Sequence, residues 1–205
     1  MTTHQSTLAS VGEALERVLA RYQINADALF LEAGITDVDR RTLDARIPID
    51  KLHDFWARAV AATRNRCIGF EAGQAIYSTN LASLGYAWLS SATLRQGIHR
   101  LARYHRILST GLTIIVDEQP GRVTLTVERH PDTPIQGRDA CMCLVVTLCR
   151  EVANPEFAPM HVCLSGPRPP CAEELMRFFA CDVEFDADVD EIAVSAASAD
   201  EPLPR

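Results

Sequence analysis

The feature that most constrains this chain is a change in the period of its side-chain pattern near residue 110. Before that point one stripe recurs at the three-to-four-residue spacing of an amphipathic helix and comprises Leu94, Ile98, Leu101, His105 and Leu108. After it, residues 112–116 and 123–127 are apolar runs with a period of two, on either side of a turn containing Pro120 and Gly121. The change predicts a helical part followed by a β-hairpin.

The other elements predicted from periodicity and capping residues keep this order. Helices are expected over about 8–22, between Asn25 and Gly34, over 48–65, 67–76, 137–152 and 171–179, and twice between 81 and 109. Strands are expected over about 160–165, 182–185 and 191–194, an irregular charged stretch after Ile35, and an extended exit over 199–205. The fold class is therefore α+β: one domain over 1–205, with an N-terminal helical part and then a small, mainly antiparallel sheet packed with helices.

Composition and charge narrow the function classes. The 205 residues are enough to bury a core, and no apolar stretch has the length of a membrane-spanning helix. A formal net charge of −7 is the wrong sign for binding nucleic acid through this chain alone. The N-terminus lacks the pattern of a secretory signal, so we expect a cytoplasmic protein with no membrane contact and with free thiols.

Motifs that would indicate an enzyme or a metal site are absent from the sequence. There is no GxGxxG, GxxxxGK[ST], GxSxG, HExxH or CxxC pattern. His161 and Cys163 could share one face of a strand and join Cys171 and Cys181, but buried thiols are the simpler interpretation. The run around Asp190 lacks the glycine of a calcium loop and is expected to be a solvated acidic loop. We expect no enzyme, no metal and no cofactor.

Four large side chains with a polar tip are the candidate ligand-binding residues: Trp56, Tyr86, Trp88 and His105. With Phe55 they could form the aromatic wall of a pocket, with an indole N–H, a phenol or an imidazole fixing a ligand's orientation. The alternative is that all of them fill the core, with their polar atoms bonded internally. His99 lies off the apolar stripe and is expected at the surface.

Several segments, in their order along the chain, carry a family resemblance. They are 28–35 (ALFLEAGI), 47–56 (IPIDKLHDFW), 68–72 (IGFEA), 84–94 (LGYAWLSSATL), 101–104 (LARY), 178–179 (FF), 183–185 (VEF) and 201–204 (EPLP). Together they resemble the N-terminal regulatory domain of AraC/XylS-type transcriptional regulators, in the arabinose-binding branch that includes ornithine- and virulence-gene regulators. In that family two helix-turn-helix units follow the Pro-Leu-Pro segment, where this chain stops.

The resemblance implies a ligand-sensing and dimerising half, with a small-molecule effector and a homodimer. DNA would be bound only through a C-terminal domain absent from this chain, and no catalytic residue carries over. A second hypothesis is a ligand-free dimerisation module of the same regulator type. A third hypothesis is a haem-binding sensor using His99 or His105. It is implied by a weaker similarity in element order to haem-nitric-oxide-binding domains, where a histidine on the helix before the hairpin holds the iron.

Overall fold

The computed structural model describes residues 5–41, 45–128 and 133–204. Its strands are β1 (Ser6–Leu8), β2 (Arg46–Pro48), β3 (Thr113–Gln119), β4 (Arg122–Glu128), β5 (His161–Cys163), β6 (Val183–Glu184) and β7 (Asp190–Ser195). The helices are α1 (Gly12–Arg21), α2 (Ala26–Glu32), α3 (Asp37–Arg41), α4 (Ile49–Thr63), α5 (Ile68–Gln74), α6 (Ala82–Leu89), α7 (Leu94–Tyr104), α8 (Ile135–Val152), α9 (Ala172–Phe179) and α10 (Ala196–Asp200). Short 3-10 turns precede α1 and α6 and follow α7. This is the expected α+β architecture.

The main sheet has five strands in the order β3-β4-β7-β5-β6. All pairs are antiparallel except β5 with β6, and the expected hairpin is confirmed, with Gly121 at φ 85° in its turn. Val123 lies opposite Val194 and Leu125 opposite Ile192, so their buried side chains share one face of the sheet. Helices α7 and α8 pack on that face. The other face carries Ile115, which is about half exposed.

Helix α8 is the centre of the core, as its apolar sequence predicts. Eleven of its eighteen residues are buried. Helix α5 crosses it closely, because Gly69 and Gly73 face the backbone of α8 with no side chain between. A β-carbon built at Gly73 would lie 2.8 Å from the Cβ of Cys143 and would overlap the carbonyl oxygen of Ala140. Both glycines are therefore required by close approach of the two helices.

Capping residues in the sequence predict some helix ends correctly and others wrongly. Asn25 caps α2 by accepting from the N–H groups of Asp27 and Ala28, and Gly34 follows that helix at φ 71°. Ser10 does not form the expected capping box, because its hydroxyl donates to the carbonyl of Asn80 and α1 begins at Gly12. The segment after Ile35 is not irregular throughout, since it contains α3 and β2.

The C-terminal segment also differs from the expectation. Residues 196–200 form α10 rather than an extended exit, because the Ser195 hydroxyl accepts from the N–H of Ser198 and starts a helix. Two hydrogen bonds from Arg95 to the carboxylate of Asp200, at 2.6 and 2.9 Å, hold α10 against α7. Beyond it, the N–H of Leu203 donates to the carbonyl of Ala92 at 2.9 Å.

The cysteines do not all remain free thiols, which corrects the expectation. Cys67, just before α5, and Cys171, just before α9, form a disulfide with their Cα atoms 6.4 Å apart. The periodic pattern gave no indication that these two positions meet, because they are 104 residues apart in sequence. The other five cysteines are unpaired, and three of them lie buried on α8.

A buried ion pair joins α8 to β7. The guanidinium of Arg138 donates to Asp190 Oδ2 at 2.8 Å and to the hydroxyl of Ser165 at 2.7 Å, while Asp190 Oδ1 accepts from the N–H of Ser165 at 2.7 Å. Arg138 is 9% exposed and Asp190 is 4% exposed. Asp190 is therefore not part of a solvated acidic loop. It pairs with the buried guanidinium of Arg138 on α8.

Candidate ligand-binding cavity

A cavity of about 100 Å³ lies between the N-terminal helical part and the layer formed by α8 and the hairpin. Its wall is formed by strands β1, β2 and β3 and by helices α1, α4, α7 and α8. Most of the lining is aliphatic and includes Leu15, Leu52, Leu101, Ile114, Leu144 and Val145. None of the described lining residues is Asp, Glu, Lys or Arg. The cavity suits a small, mainly apolar molecule.

Trp56 contributes the indole wall of the cavity. It lies on the apolar stripe of α4, where Phe55 beside it stacks on Phe30 of α2 with ring centroids 4.2 Å apart. Trp56 is 3% exposed, and its ring meets that of Phe55 edge-on at 6.0 Å. Its Nε1 is buried, and no described residue offers it a hydrogen-bond acceptor.

His105 lies directly after the last residue of α7, in the 3-10 turn that ends the helical stripe. The carbonyl oxygen of Ala102 lies 2.7 Å from its Nδ1. Because a carbonyl can only accept, Nδ1 carries the proton, and Nε2 of the neutral ring is an acceptor. His105 is half-buried and lines the cavity.

The hydroxyl groups of the lining bond to one another or to the backbone. Thr7 and Ser109 lie with their hydroxyl oxygens 3.0 Å apart, and Ser109 Oγ also accepts from the N–H of Gly111. The hydroxyl of Thr133 donates to the carbonyl of Gly111. Each of these hydroxyl oxygens has a hydrogen-bond partner within the protein. Because Thr7 and Ser109 share one hydrogen bond, one of their two O–H groups has no acceptor among the described residues.

Two of the four candidate residues lie away from the cavity. Tyr86 is 79% exposed on the outer side of α6. Trp88 is 1% exposed, donates from Nε1 to the carbonyl of Leu148 at 3.1 Å and packs against Gly97, so it is a satisfied core residue. The structure brings together Trp56 and His105 but not Tyr86 and Trp88. His99 lies at the surface as expected, with Nε2 2.6 Å from Glu118.

Sequence reasoning missed most of the aliphatic lining and Gly137. Ile47 of β2 and Ile49, the first residue of α4, both reach the cavity. The sequence did not reveal the small β1-β2 sheet, because its strands are three residues long. Gly137 lies in the first turn of α8 and lines the cavity near Trp56. The sequence offered little signal for this role, because the helix predicted over 137–152 begins at Gly137 and a glycine at a helix start is not unusual.

The histidines and cysteines do not assemble the sites considered from sequence. Cys171 is in the disulfide, and Glu184 rather than Cys181 meets His161 and Cys163, with the three ligand atoms within 4.8 Å of one another on an exposed part of the sheet. For haem the residues do not fit. His99 is engaged by Glu118, and the cavity beside His105 is well below the roughly 300–1,000 Å³ of pockets that bind cofactors.

A second pocket lies near the disulfide, on the opposite side of α8. Its lining includes Asp139, Arg66, Arg168, Phe70 and Phe185. Burial raises the pKa of Asp139 to about 8, against the opposing effect of the Arg138 charge, and the charge of Asp190 adds to the rise. This raised pKa favours the protonated form of Asp139 in the folded protein at neutral pH.

This pKa predicts a pH dependence of stability that Asp139→Asn removes. An Asp of pKa near 4 in the unfolded chain and about 8 in the folded chain is protonated only in the folded state between these values. The free energy of unfolding should fall as pH rises, by up to about 1.4 kcal/mol per pH unit relative to the variant, and the difference should become constant above pH 8. Urea denaturation of both proteins from pH 5 to 9 measures it, and parallel curves would contradict the prediction.

One family model matches most of the chain. Residues 24–203 match the family described as the arabinose-binding domain of AraC transcription regulators, N-terminal. The ornithine utilization regulator of Pseudomonas aeruginosa is 25% identical over 179 residues, which are 85% of this chain and 52% of that protein. The crystal structure of transcriptional regulator CdpR from the same organism superposes with a TM-score of 0.62 at 13% identity, over 93% of this chain and 56% of that one, and so shares the fold.

The chain thus spans about half the length of both relatives. Within the described residues, no helix is both long enough and apolar enough to cross a bilayer. The family match covers far more than half of the chain and includes α4, α7 and α8, which form much of the cavity wall. The chain belongs to the family of N-terminal arabinose-binding domains of AraC transcription regulators.

Proposed function

We propose that this domain senses a small-molecule effector in the cavity and passes its occupancy to a DNA-binding domain beyond residue 205. The observation that carries the proposal is an apolar cavity, lined by Trp56 and His105, inside a domain of this regulator family. Protein interiors are close-packed, so the side chains around a cavity of this size lack packing contacts that a bound ligand would supply. Relatives of about twice the length support the idea of a further domain.

The route from the cavity to the C-terminal segment runs through α7. Leu101 of this helix and His105 just beyond it line the cavity, while the other end of the helix holds the last described residues. Arg95 binds Asp200 there, and Ala92 accepts from the N–H of Leu203. An effector would act by binding more tightly to one of two positions of α7, because only differential affinity shifts an equilibrium.

The remaining parts of the proposal follow from the family. The regulator would act in the cytoplasm as a homodimer, and it would bind DNA only through the further domain. The net charge of −7 supports the assignment of DNA binding to the further domain, because an acidic chain attracts DNA phosphates weakly. The ligand-free dimerisation module is the alternative.

Filling the cavity tests the proposal. Ala140 lines the cavity from α8, and Ala140→Leu should occupy it and abolish stabilisation by any effector found in a thermal-shift screen of amino acids, fatty acids, aromatic acids and neutral compounds. In the wild-type chain an effector at 100 times its Kd should add about 2.7 kcal/mol to the free energy of unfolding. Tyr86→Ala, which changes an exposed side chain outside the cavity, is the control and should retain the full effect.

Equal stabilisation of wild type and Ala140→Leu by the same ligand would contradict this cavity as the site. Absence of any stabilising compound, combined with a stable dimer, would favour the dimerisation module.

A further inference from the structure

We propose that the effector is a small uncharged molecule whose hydrogen-bond acceptor binds the indole N–H of Trp56. This rests on the proposed function and specifies its ligand. The central observation is that Nε1 is buried at the cavity wall and no described residue accepts from it. Buried N–H groups in folded proteins almost always have a partner, so an orphan donor at a cavity points to an acceptor supplied by a ligand.

The other polar side chains of the lining each have a hydrogen-bond partner within the protein. The hydroxyl groups of Ser109 and Thr133 are engaged with the protein. His105 donates from Nδ1 to Ala102, and its Nε2 is an acceptor in the neutral ring. Within the described part of the wall, the indole nitrogen is therefore the buried nitrogen or oxygen atom that has no hydrogen-bond partner.

The wall also argues against a charged ligand. It contains no Asp, Glu, Lys or Arg among the described residues, and burying an unpaired carboxylate or ammonium in apolar surroundings is strongly unfavourable. A ketone, ester or amide oxygen would satisfy the indole without that cost. The volume of about 100 Å³ is below that of the engineered 150 Å³ cavity that binds benzene, which restricts the ligand to about one small ring or a short chain.

Gly137 keeps the space next to the indole nitrogen open. A β-carbon at this position would lie 3.9 Å from Trp56 Nε1 and 3.8 Å from Thr133 Cγ2, which is ordinary contact. Gly137→Ala should therefore fold, with a helix at least as stable as in the wild type. Its methyl group should reduce the space beside the indole nitrogen in which the ligand's acceptor atom would lie. Glycine here is a specificity-determining residue in this proposal.

Three probes with the same five-membered ring separate a neutral acceptor, a hydrocarbon and a charged ligand. They are cyclopentanone, methylcyclopentane and cyclopentanecarboxylate. The chain has two tryptophans, so ¹H–¹⁵N spectra show two indole N–H signals, and Trp56→Phe assigns them. Cyclopentanone should move the Trp56 indole proton downfield and leave the Trp88 signal, already bonded to Leu148, in place. It should bind at least tenfold more tightly than methylcyclopentane.

The variants complete the test. Trp56→Phe should lose the preference for the ketone but still bind the hydrocarbon, and Gly137→Ala should weaken ketone binding while its thermal transition stays at or above that of the wild type. Equal binding of ketone and hydrocarbon without an indole shift, tightest binding of the carboxylate, or no binding of any probe would each overturn the inference. The proposed function is tested separately, by comparing how much an effector stabilises the wild type and Ala140→Leu.

Discussion

Asp190→Ala should lower the free energy of unfolding by about 3–5 kcal/mol, because it leaves the guanidinium of Arg138 buried without a counter-charge. The lost carboxylate also removes the acceptor of the Ser165 N–H. A domain of this size has a total stability of only about 5–15 kcal/mol, so the variant should be largely unfolded at moderate urea concentrations or insoluble. Equilibrium urea denaturation followed by circular dichroism provides the measurement.

Two companion variants make this result specific. Asp188→Ala changes an exposed carboxylate two residues away and should alter stability by no more than about 0.5 kcal/mol. The double variant Arg138→Met, Asp190→Leu removes both charges and should recover most of the loss, because well-packed apolar pairs often replace buried ion pairs without cost. A double variant no more stable than Asp190→Ala would show that packing, rather than the unpaired charge, causes the loss.

Gly73→Val should be at least as damaging, with an expected loss of about 3 kcal/mol or more. The new β-carbon would overlap the carbonyl oxygen of Ala140 and press on Cys143, so α5 and α8 would have to separate along the centre of the core. Overpacking usually costs about 1–3 kcal/mol when side chains can move, and here the obstacle is backbone. Thermal and urea denaturation measure the loss.

Gly12→Ala is the matched control for this variant. Its β-carbon would meet only Phe30 at 3.6 Å, an ordinary contact, and alanine favours a helix, so the stability should be unchanged or slightly higher. If Gly73→Val unfolded at the same urea concentration as Gly12→Ala, the close approach of α5 and α8 would be wrong.

The sequence predicted those parts of the fold that depend on local signals. Periodicity located the hairpin and α8 because their apolar residues match the period of one element over many residues. Ser10 and Glu13 had the spacing of a capping box, but the Ser10 hydroxyl found a tertiary partner in Asn80. The disulfide between Cys67 and Cys171 depends on distant segments meeting, which no local pattern encodes.

The candidate site was predicted in part for the same reason. Trp56 lies on a clear apolar stripe of α4, so its inward orientation could be inferred. Tyr86 and Trp88 lie on α6, which is apolar almost all round, and nothing local distinguishes the face that packs inward from the face that is exposed. Which inward side chains border a cavity depends on how several elements pack together, and that information is tertiary.

The position of β7 in the sheet has a consequence for how the protein is made. This strand lies between β4 and β5, yet among the described strands it is the last to leave the ribosome. Until about residue 195 has been synthesised, β4 has an open edge and α8 lacks the partner of Arg138. Nascent chains shorter than this would expose an unpaired apolar edge that favours aggregation and recruits chaperones. Sheet completion is therefore postponed until β7 has been translated.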